Sequence, residues 1–413
     1  MKNEADVSVQ EMTAAPKKQE RIREPLVHIT KRALPTMRLA VGVRAVTVIL
    51  ALIACSLITV LVTGANPLQL YANIFKGAFG TADNVWFTLQ QTAILLGISL
   101  AVTPAFRMRF WNTGAEGQVL IAALATALVM FYLGGTMPDG VLVLFMVLAA
   151  VTAGALWGIL PAIFKAHWGT NETLFTLMMN YVAMQLIKTF LAAADSSGSN
   201  TIGPSLLSHG WFPAIFGKQY LCNILIVAVM TVAVWIYLKY SKQGYEISVV
   251  GESQNTARYV GINVKRVIIR TMAISGALCG VIGLVLVAGT SHSIEPNLAE
   301  GRGFTAIMVS WLSKFNPLIM ILVSFFLVVL DIGAGMISSS MGLDSSFSDI
   351  LTGILLFFII GCEFFIGYEV HLNRKNRVGA ALANAGAKCK AICKNIFTSK
   401  KAKTEENGEE DAQ

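Results

Sequence analysis

The sequence predicts an all-α, polytopic integral membrane protein with about ten transmembrane helices. Its 413 residues are 55% hydrophobic and 14% charged, whereas soluble domains carry about 25% charged residues. A helix needs about 20 apolar residues to cross the hydrocarbon core of a bilayer. Six stretches without Asp, Glu, Lys or Arg are long enough to do so, and they are 45–75, 84–106, 117–138, 140–164, 219–238 and 271–294.

Ten spans account for the apolar sequence between the polar ends, with eight as the main alternative count. The eighth has an uncharged run of only 11 residues, which fits a half-helix buried by protein. Five spans precede the large loop 195–220 and five follow it, and an odd number in each half is the pattern of two inverted halves. We place the spans at 44–63, 88–106, 114–133, 141–163, 172–194, 221–238, 271–289, 303–313, 316–336 and 349–369.

The distribution of charge predicts the orientation. The only basic residues in the predicted outside loops are Lys76, Lys218 and Arg302. Most basic loop residues fall on the inside, where the positive-inside rule places them. Both termini and the loop 239–270 are therefore expected in the cytoplasm. The net charge is +8, but the basic residues sit between and beside apolar runs, so we exclude nucleic acid as a partner. The inside residues are Arg107, Arg109, Lys165, Lys239, Lys242, Arg258, Lys265, Arg266 and Lys314.

Composition divides the chain into a cytoplasmic N-terminal arm 1–43, a transmembrane domain 44–370 and a cytoplasmic C-terminal tail 371–413. The arm is polar and lacks the apolar core of a cleavable signal peptide. The tail begins basic and ends acidic, and we expect it to be solvated and partly helical near 378–397.

Missing motifs exclude several function classes. The six cysteines show no disulfide framework, because four of them fall in apolar runs and two in the basic tail. The sequence has no G-x-x-x-x-G-K-[ST] phosphate-binding loop, no H-E-x-x-H and no paired C-x-x-C. We therefore expect no metal site, no cofactor bound by this chain and no enzyme activity.

A polar break at 110–118, reading FWNTGAEGQ, provides the first candidate site. A carboxylate costs about 2.5–3.5 kcal/mol at the centre of a membrane helix. Two interpretations of Glu116 stay open, and they are compatible with each other. It has capping-box spacing from Thr113 and would close the start of its own helix, or it belongs with Asn112 and Gln118 to a broken helix that faces the solute route.

A second polar stretch, GTNET at 169–173, precedes the fifth span. Thr170 or Asn171 is placed to cap that helix, and Glu172 suits its positive end. Asn180 lies deeper in the span. There a bond to a neighbouring helix is the expected role, and contact with solute is the alternative.

The longest inside loop, 239–270, provides the candidate coupling site. Its centre predicts a short helix that begins at Ser253 and ends at Gly261. Such a helix is a docking surface for a cytoplasmic partner, and a linker held by anionic lipid is the alternative. The predicted coupling residues are Glu252, Ser253, Arg258, Tyr259, Val260 and Gly261.

Other features are expected to be structural. Gly276 and Gly280 form a small-xxx-small pair for close helix packing. Six tryptophans, Trp111 and Trp311 among them, lie near predicted span ends as interfacial anchors do, with stacking on a flat substrate as the alternative. The outside loop 292–302 is expected to be solvated or to meet an external binding protein.

Five stretches in this order resemble the permease subunits of bacterial nucleoside (guanosine-type) ABC importers, within the wider group of permeases for branched-chain amino acids and simple sugars. The resemblance covers about residues 44–370. The motif N-x-G-x-E-G-Q is typical of one of two permease types, and its common form has Ile where this sequence has Thr113. The stretches are FWNTGAEGQ, NETLFTLMMNY, GYEISVVGESQNTARYVGI, SGALCG and GFTAIMVSWLSKFNP.

The resemblance implies a machine of several subunits in the bacterial cell membrane. Its expected partners are a sister permease, a cytoplasmic ABC ATPase that binds the ATP, an extracellular substrate-binding lipoprotein and membrane lipid. The expected function is inward transport of nucleosides through a route that includes Asn112, Glu116, Gln118 and Asn180. The alternatives are the same machine carrying a simple sugar, or a secondary transporter working alone.

Overall fold

A computed structural model describes residues 27–32, 36–63, 67–194, 201–340, 342 and 345–372. The expected helix near 378–397 and most of the predicted arm and tail lie outside these residues. Two short strands flank the helices, β1 (Val27–Lys31) and β2 (Tyr368–Leu372). The helices of the described part are α1 (Met37–Thr63), α2 (Pro67–Phe79), α3 (Ala82–Arg107), α4 (Ala115–Leu133), α5 (Asp139–Trp168), α6 (Glu172–Ala194), α7 (Leu221–Tyr240), α8 (Lys242–Glu252), α9 (Gln254–Tyr259), α10 (Val264–Leu286) with a π-turn (Val287–Ser291), α11 (Arg302–Leu312), α12 (Pro317–Ser340) and α13 (Ser345–Gly367).

Nine helices of the described part are long and apolar enough to cross a membrane. They fall on nine of the ten predicted spans, and the remaining span, 303–313, coincides with the short helix α11. The polytopic helical class and the count of about ten are therefore confirmed. The sequence did not predict α2, because its residues sit within one uncharged run with α1, nor did it predict the strands.

The smaller of two compact units contains the beginning of α1, the end of α13 and both strands. β1 pairs antiparallel with β2, so that Ile29 lies opposite Val370. Arg44 Nη2 lies 2.6 Å from Glu363 Oε1, which gives the carboxylate in the last span a partner. The two ends of the described chain therefore lie side by side in this unit.

The larger unit, 46–360, is built around a close contact of α5 with α10. A Cβ added to Gly276 would lie 2.2 Å from the carbonyl oxygen of Gly154, and one added to Gly280 would lie 2.5 Å from that of Ala150. Only glycine permits backbones to approach this closely. The predicted packing role of Gly276 and Gly280 is confirmed.

Several helix ends of the larger unit meet at what we call the basic end, which is defined by Arg107, Lys165 and Lys239. Arg107 Nη1 donates to the carbonyl oxygen of Leu238, 3.3 Å away, and so joins the ends of α3 and α7. Lys165 at the end of α5 lies 2.7 Å from the carboxylate of Glu172 at the start of α6. The loops that the sequence assigns to the inside therefore lie together at one end of this unit.

Candidate functional site

The four predicted route residues form a buried polar cluster among α4, α6, α10 and α11. Asn112, Glu116, Gln118 and Asn180 are 0%, 3%, 1% and 4% exposed. Buried polar groups need hydrogen-bond partners, because leaving one unpaired costs about 1–3 kcal/mol. Each of the four side chains has such a partner, and most of the bonds join separate helices.

Asn112 and Gln118 pair through their side-chain amides. Gln118 Nε2 donates to Asn112 Oδ1 at 3.3 Å, and Asn112 Nδ2 lies 3.4 Å from Gln118 Oε1. Asn112 Nδ2 also donates to Ser275 Oγ on α10, at 3.4 Å. The pair therefore fixes the segment that precedes α4 against α10.

Asn180 joins α6 to the start of α4. Its Oδ1 accepts a 2.9 Å bond from the Gly117 backbone N–H, and its Nδ2 donates to the Thr113 carbonyl oxygen at 3.0 Å. Gly117 is required here, because a Cβ at that position would lie 2.8 Å from Asn180 Oδ1. The predicted bond from Asn180 to a neighbouring helix is confirmed. Farther towards the basic end, Asn171 caps α6 by accepting bonds from the Thr173 and Leu174 N–H groups.

Glu116 caps a helix other than its own. The Gly301 N–H donates to Glu116 Oε1 at 2.8 Å, and the Gly303 N–H donates to Oε2 at 2.7 Å. Both donors belong to the beginning of α11, where backbone N–H groups lack intrahelical partners and the helix dipole favours a carboxylate. This single side chain therefore holds the half-helix α11 against α4.

The predicted capping box between Thr113 and Glu116 is wrong. The N-cap of α4 is Gly114, which makes no side-chain cap bond. A capping-box glutamate would accept from the Thr113 N–H, but that group already donates to Thr176 Oγ1 at 3.2 Å. The Thr113 hydroxyl is engaged with α6 as well, because it donates to the Thr173 carbonyl oxygen at 3.0 Å.

Gly301 and Gly303 were not among the predicted site residues. Gly301 adopts a left-handed backbone with φ +71°, and a Cβ on Gly303 would lie 2.6 Å from the Glu116 nitrogen. The segment GRG before a short apolar run is the signal that would have pointed to them. The last residues of the predicted outside loop 292–302 therefore turn back into the bundle to meet Glu116.

A second buried polar cluster, also missed, surrounds the π-turn at the far end of α10. Gln90 Nε2 donates to Thr290 Oγ1 at 2.5 Å, and Asn223 Nδ2 donates to the Gly289 carbonyl oxygen at 2.8 Å. Gln90 and Asn223 are completely buried. Their position inside apolar runs was the available signal, since polar groups are expensive at membrane depth.

The predicted coupling site forms the end of α8 and the short helix α9 at the basic end. Ser253 caps α9, since its Oγ accepts a 3.2 Å bond from the Thr256 N–H. Gly261, with φ +83°, follows the last residues of α9, so the predicted start and stop are confirmed. Tyr259 is 92% exposed and Val260 63% exposed, whereas Ala257 is buried.

Similar sequences occur among known proteins. A sequence model of the family described as branched-chain amino acid transport system/permease component matches residues 84–360. The chain is 30% identical to the guanosine ABC transporter permease protein NupP of Bacillus subtilis over 76% of this chain and 91% of that protein. It is 27% identical to a glucose ABC transporter permease protein of Haloferax volcanii, over 86% and 96% of the two chains. It is 26% identical to the nucleoside ABC transporter permease protein NupB of Lactococcus lactis, over 79% and 92%.

Proposed function

Because the chain belongs to the family of branched-chain amino acid transport system permease components, we propose that it is the permease subunit of an ABC importer for nucleosides. We choose nucleosides as the solute because the sequence is similar, over most of the chain, to permeases named for guanosine and nucleosides. The glucose permease among the relatives keeps a simple sugar as the second candidate.

ATP hydrolysis in this proposal takes place on a separate cytoplasmic ABC ATPase, because the chain has no phosphate-binding loop. An external binding protein delivers the solute, and a sister permease completes the membrane part. The assembly lies in the bacterial cell membrane, and both termini of this chain face the cytoplasm. The excess of Lys and Arg at the basic end supports that orientation.

The helix α9 is the proposed contact with the ATPase. Among the residues that the structure describes, Tyr259 and Val260 stay 92% and 63% exposed, and Arg258 lies beside them. Aromatic and Arg side chains such as Tyr259 and Arg258 are the usual anchors of a protein interface. Glu252 to Gly261 would then transmit the motion of the ATPase to the helices.

Asn112, Glu116, Gln118 and Asn180 are proposed to act on the solute route by holding its helices. Their bonds connect α4 to α6, α10 and α11. The half-helix α11 begins inside the bundle, at Glu116, and discontinuous helices of this kind commonly form transporter sites. The position of α11, fixed at Glu116, is therefore the feature by which we expect this cluster to affect transport.

Reconstituted transport tests the proposed function. We expect proteoliposomes that contain both permeases, the ATPase and the binding protein to accumulate radiolabelled guanosine when ATP is supplied. This chain alone should show no ATPase activity and no ATP-driven uptake. The control replaces the ATPase with a variant that binds but does not hydrolyse ATP. Accumulation by the isolated chain on an ion gradient would support a secondary transporter, and uptake of glucose in place of guanosine would support the sugar importer.

Cysteine labelling tests the orientation. In a background without the six native cysteines, we expect Ser339→Cys to react with a membrane-impermeant maleimide in intact cells. Asn255→Cys should react only after the cells are opened. Both positions are exposed, at opposite ends of the larger unit. Labelling of position 255 in intact cells would reverse the proposed orientation.

A further inference from the structure

A cavity of about 490 Å³ opens at the basic end, next to the coupling helices. Its size lies within the range of small-molecule sites, about 300–1,000 Å³. Aromatic rings and a few charged groups line it, and the residues that bear on its chemistry are Phe106, Trp111, Trp311, Phe315, Arg109 and Glu252. The polar cluster around Glu116 does not contribute to this lining.

The aromatic side of the cavity is a stacked pair of indoles. The rings of Trp111 and Trp311 have centroids 5.4 Å apart and an interplanar angle of 28°. The Phe106 ring packs edge-on against both indoles, with centroid distances of 5.8 Å to Trp111 and 6.3 Å to Trp311. These contacts hold the pair in place. The two tryptophans nevertheless remain 46% and 48% exposed. This leaves rigid, flat apolar surface open to the cavity.

The charged side of the cavity has free groups of both signs. Arg109 and Glu252 are exposed, and neither has a hydrogen-bond or ion-pair partner among the residues that the structure describes. Arg109, Lys314 and Phe315 have positive φ values of 59°, 50° and 61°. Such backbone is unfavourable for residues other than glycine and concentrates at ligand clamps and other functional sites.

We propose that this cavity binds the flat base of a nucleoside-class solute at the basic end of the permease, which deepens and rests on the proposed function. The Trp111–Trp311 pair offers a face on which a base stacks. Arg109 supplies donors for ring nitrogen and carbonyl acceptors, as Arg does for the O6 and N7 atoms of guanine. The Glu252 carboxylate supplies an acceptor for ring N–H and amino donors.

This combination favours a base over the other small ligands that reach this surface. A simple sugar packs only its C–H face on indoles, and it lacks the ring N–H and carbonyl groups that a base would present to Glu252 and Arg109. The phosphate of an anionic lipid headgroup would meet Arg109 and Arg107, but Glu252 in the same lining would repel it. A base that carries both donors and acceptors uses the Glu252 carboxylate, the Arg109 guanidinium and the aromatic face together.

The site also lies on the coupling segment. Glu252 is the last residue of α8, and Ser253 is the N-cap of α9. A movement of α9 that carries Glu252 away would remove one wall of the cavity. The proposal therefore places solute release at the same segment that contacts the ATPase.

Calorimetric binding to the purified full-length chain in phosphatidylcholine nanodiscs tests the proposal. Guanosine should bind in the absence of any other subunit, and ribose should not compete. Trp111→Ala combined with Trp311→Ala should weaken guanosine binding about tenfold or more. Trp168→Ala is the matched control, because Trp168 lies at the same end, is 68% exposed and packs on Phe164 outside the cavity. The control should bind guanosine as the parent does.

A second variant keeps the test independent of folding. Glu252 is exposed, so Glu252→Ala, which removes the acceptor, should fold normally. The parent should bind 1-methylguanosine, which lacks the ring N–H, about tenfold more weakly than guanosine. Glu252→Ala should lose this discrimination. A preference that persists in Glu252→Ala would show that the carboxylate does not recognise the base.

Several outcomes would overturn the cavity proposal. These are guanosine binding that survives loss of both tryptophans, ribose binding as tight as guanosine, or guanosine binding abolished in phosphatidylglycerol nanodiscs, which would assign the cavity to lipid headgroups. Uptake by the complete importer is measured in parallel. Guanosine uptake without cavity binding refutes the cavity alone, whereas a complete importer that does not transport guanosine refutes the proposed function.

Discussion

Glu116→Ala is expected to destabilise the permease by about 2–4 kcal/mol and to lower uptake per folded molecule about tenfold or more. The change leaves the Gly301 and Gly303 N–H groups without their acceptor. An unpaired buried donor costs about 1–3 kcal/mol, and the gain from no longer burying a carboxylate offsets part of the sum. Uptake per folded molecule should fall as well, because α11 would lose the Glu116 bonds that attach it to α4.

The measurements are thermal unfolding of the purified chain and guanosine uptake at matched membrane abundance. Glu116→Gln keeps one acceptor and should lie between the parent and the alanine variant. The control is Glu172→Ala, which removes a carboxylate paired with Lys165 at the start of α6 but leaves α11 untouched. Uptake per molecule equal to that of the parent would show that Glu116 has no role in transport.

The features that the sequence predicted correctly depend on local pattern. Membrane spans appear as long uncharged runs. The uncharged run before Lys314 is only 11 residues long, and it corresponds to the half-helix α11. The start of α9 follows from the Ser253 side chain and its end from Gly261. These signals lie within a few residues of the structure they predict.

The features that the sequence did not predict depend on contacts between distant residues. The spacing from Thr113 to Glu116 fits a capping box, yet Thr176 occupies the N–H that the box needs, and the glycines that Glu116 binds lie some 185 residues later in the chain. The stacking of Trp111 on Trp311 is equally non-local. Each tryptophan by itself has the position of an interfacial anchor, so only their meeting reveals the cavity.

Arg258→Glu combined with Tyr259→Ala is expected to abolish uptake while the permease still folds and reaches the membrane. Both side chains are exposed, Tyr259 to 92%, so the change should cost little stability. Interface energy concentrates in a few aromatic and Arg anchors, and α9 carries one of each beside Val260. Copurification of the ATPase should weaken, whereas binding of the external protein on the opposite face should persist.

Tyr240→Ala is the matched control for this double variant. Tyr240 is 64% exposed at the end of α7, and so it removes a similar aromatic surface at the basic end without touching 252–261. The measurements are uptake at matched membrane abundance and an ATPase pull-down. If α9 is a linker held by anionic lipid, reversing one charge shifts membrane contacts slightly and leaves both readings near those of the control. If uptake and ATPase copurification are both lost, α9 must be the element that receives the motion of the ATPase. Within the described part of the chain, the exposed side chains that the variant changes make no packing contact that holds the permease fold together.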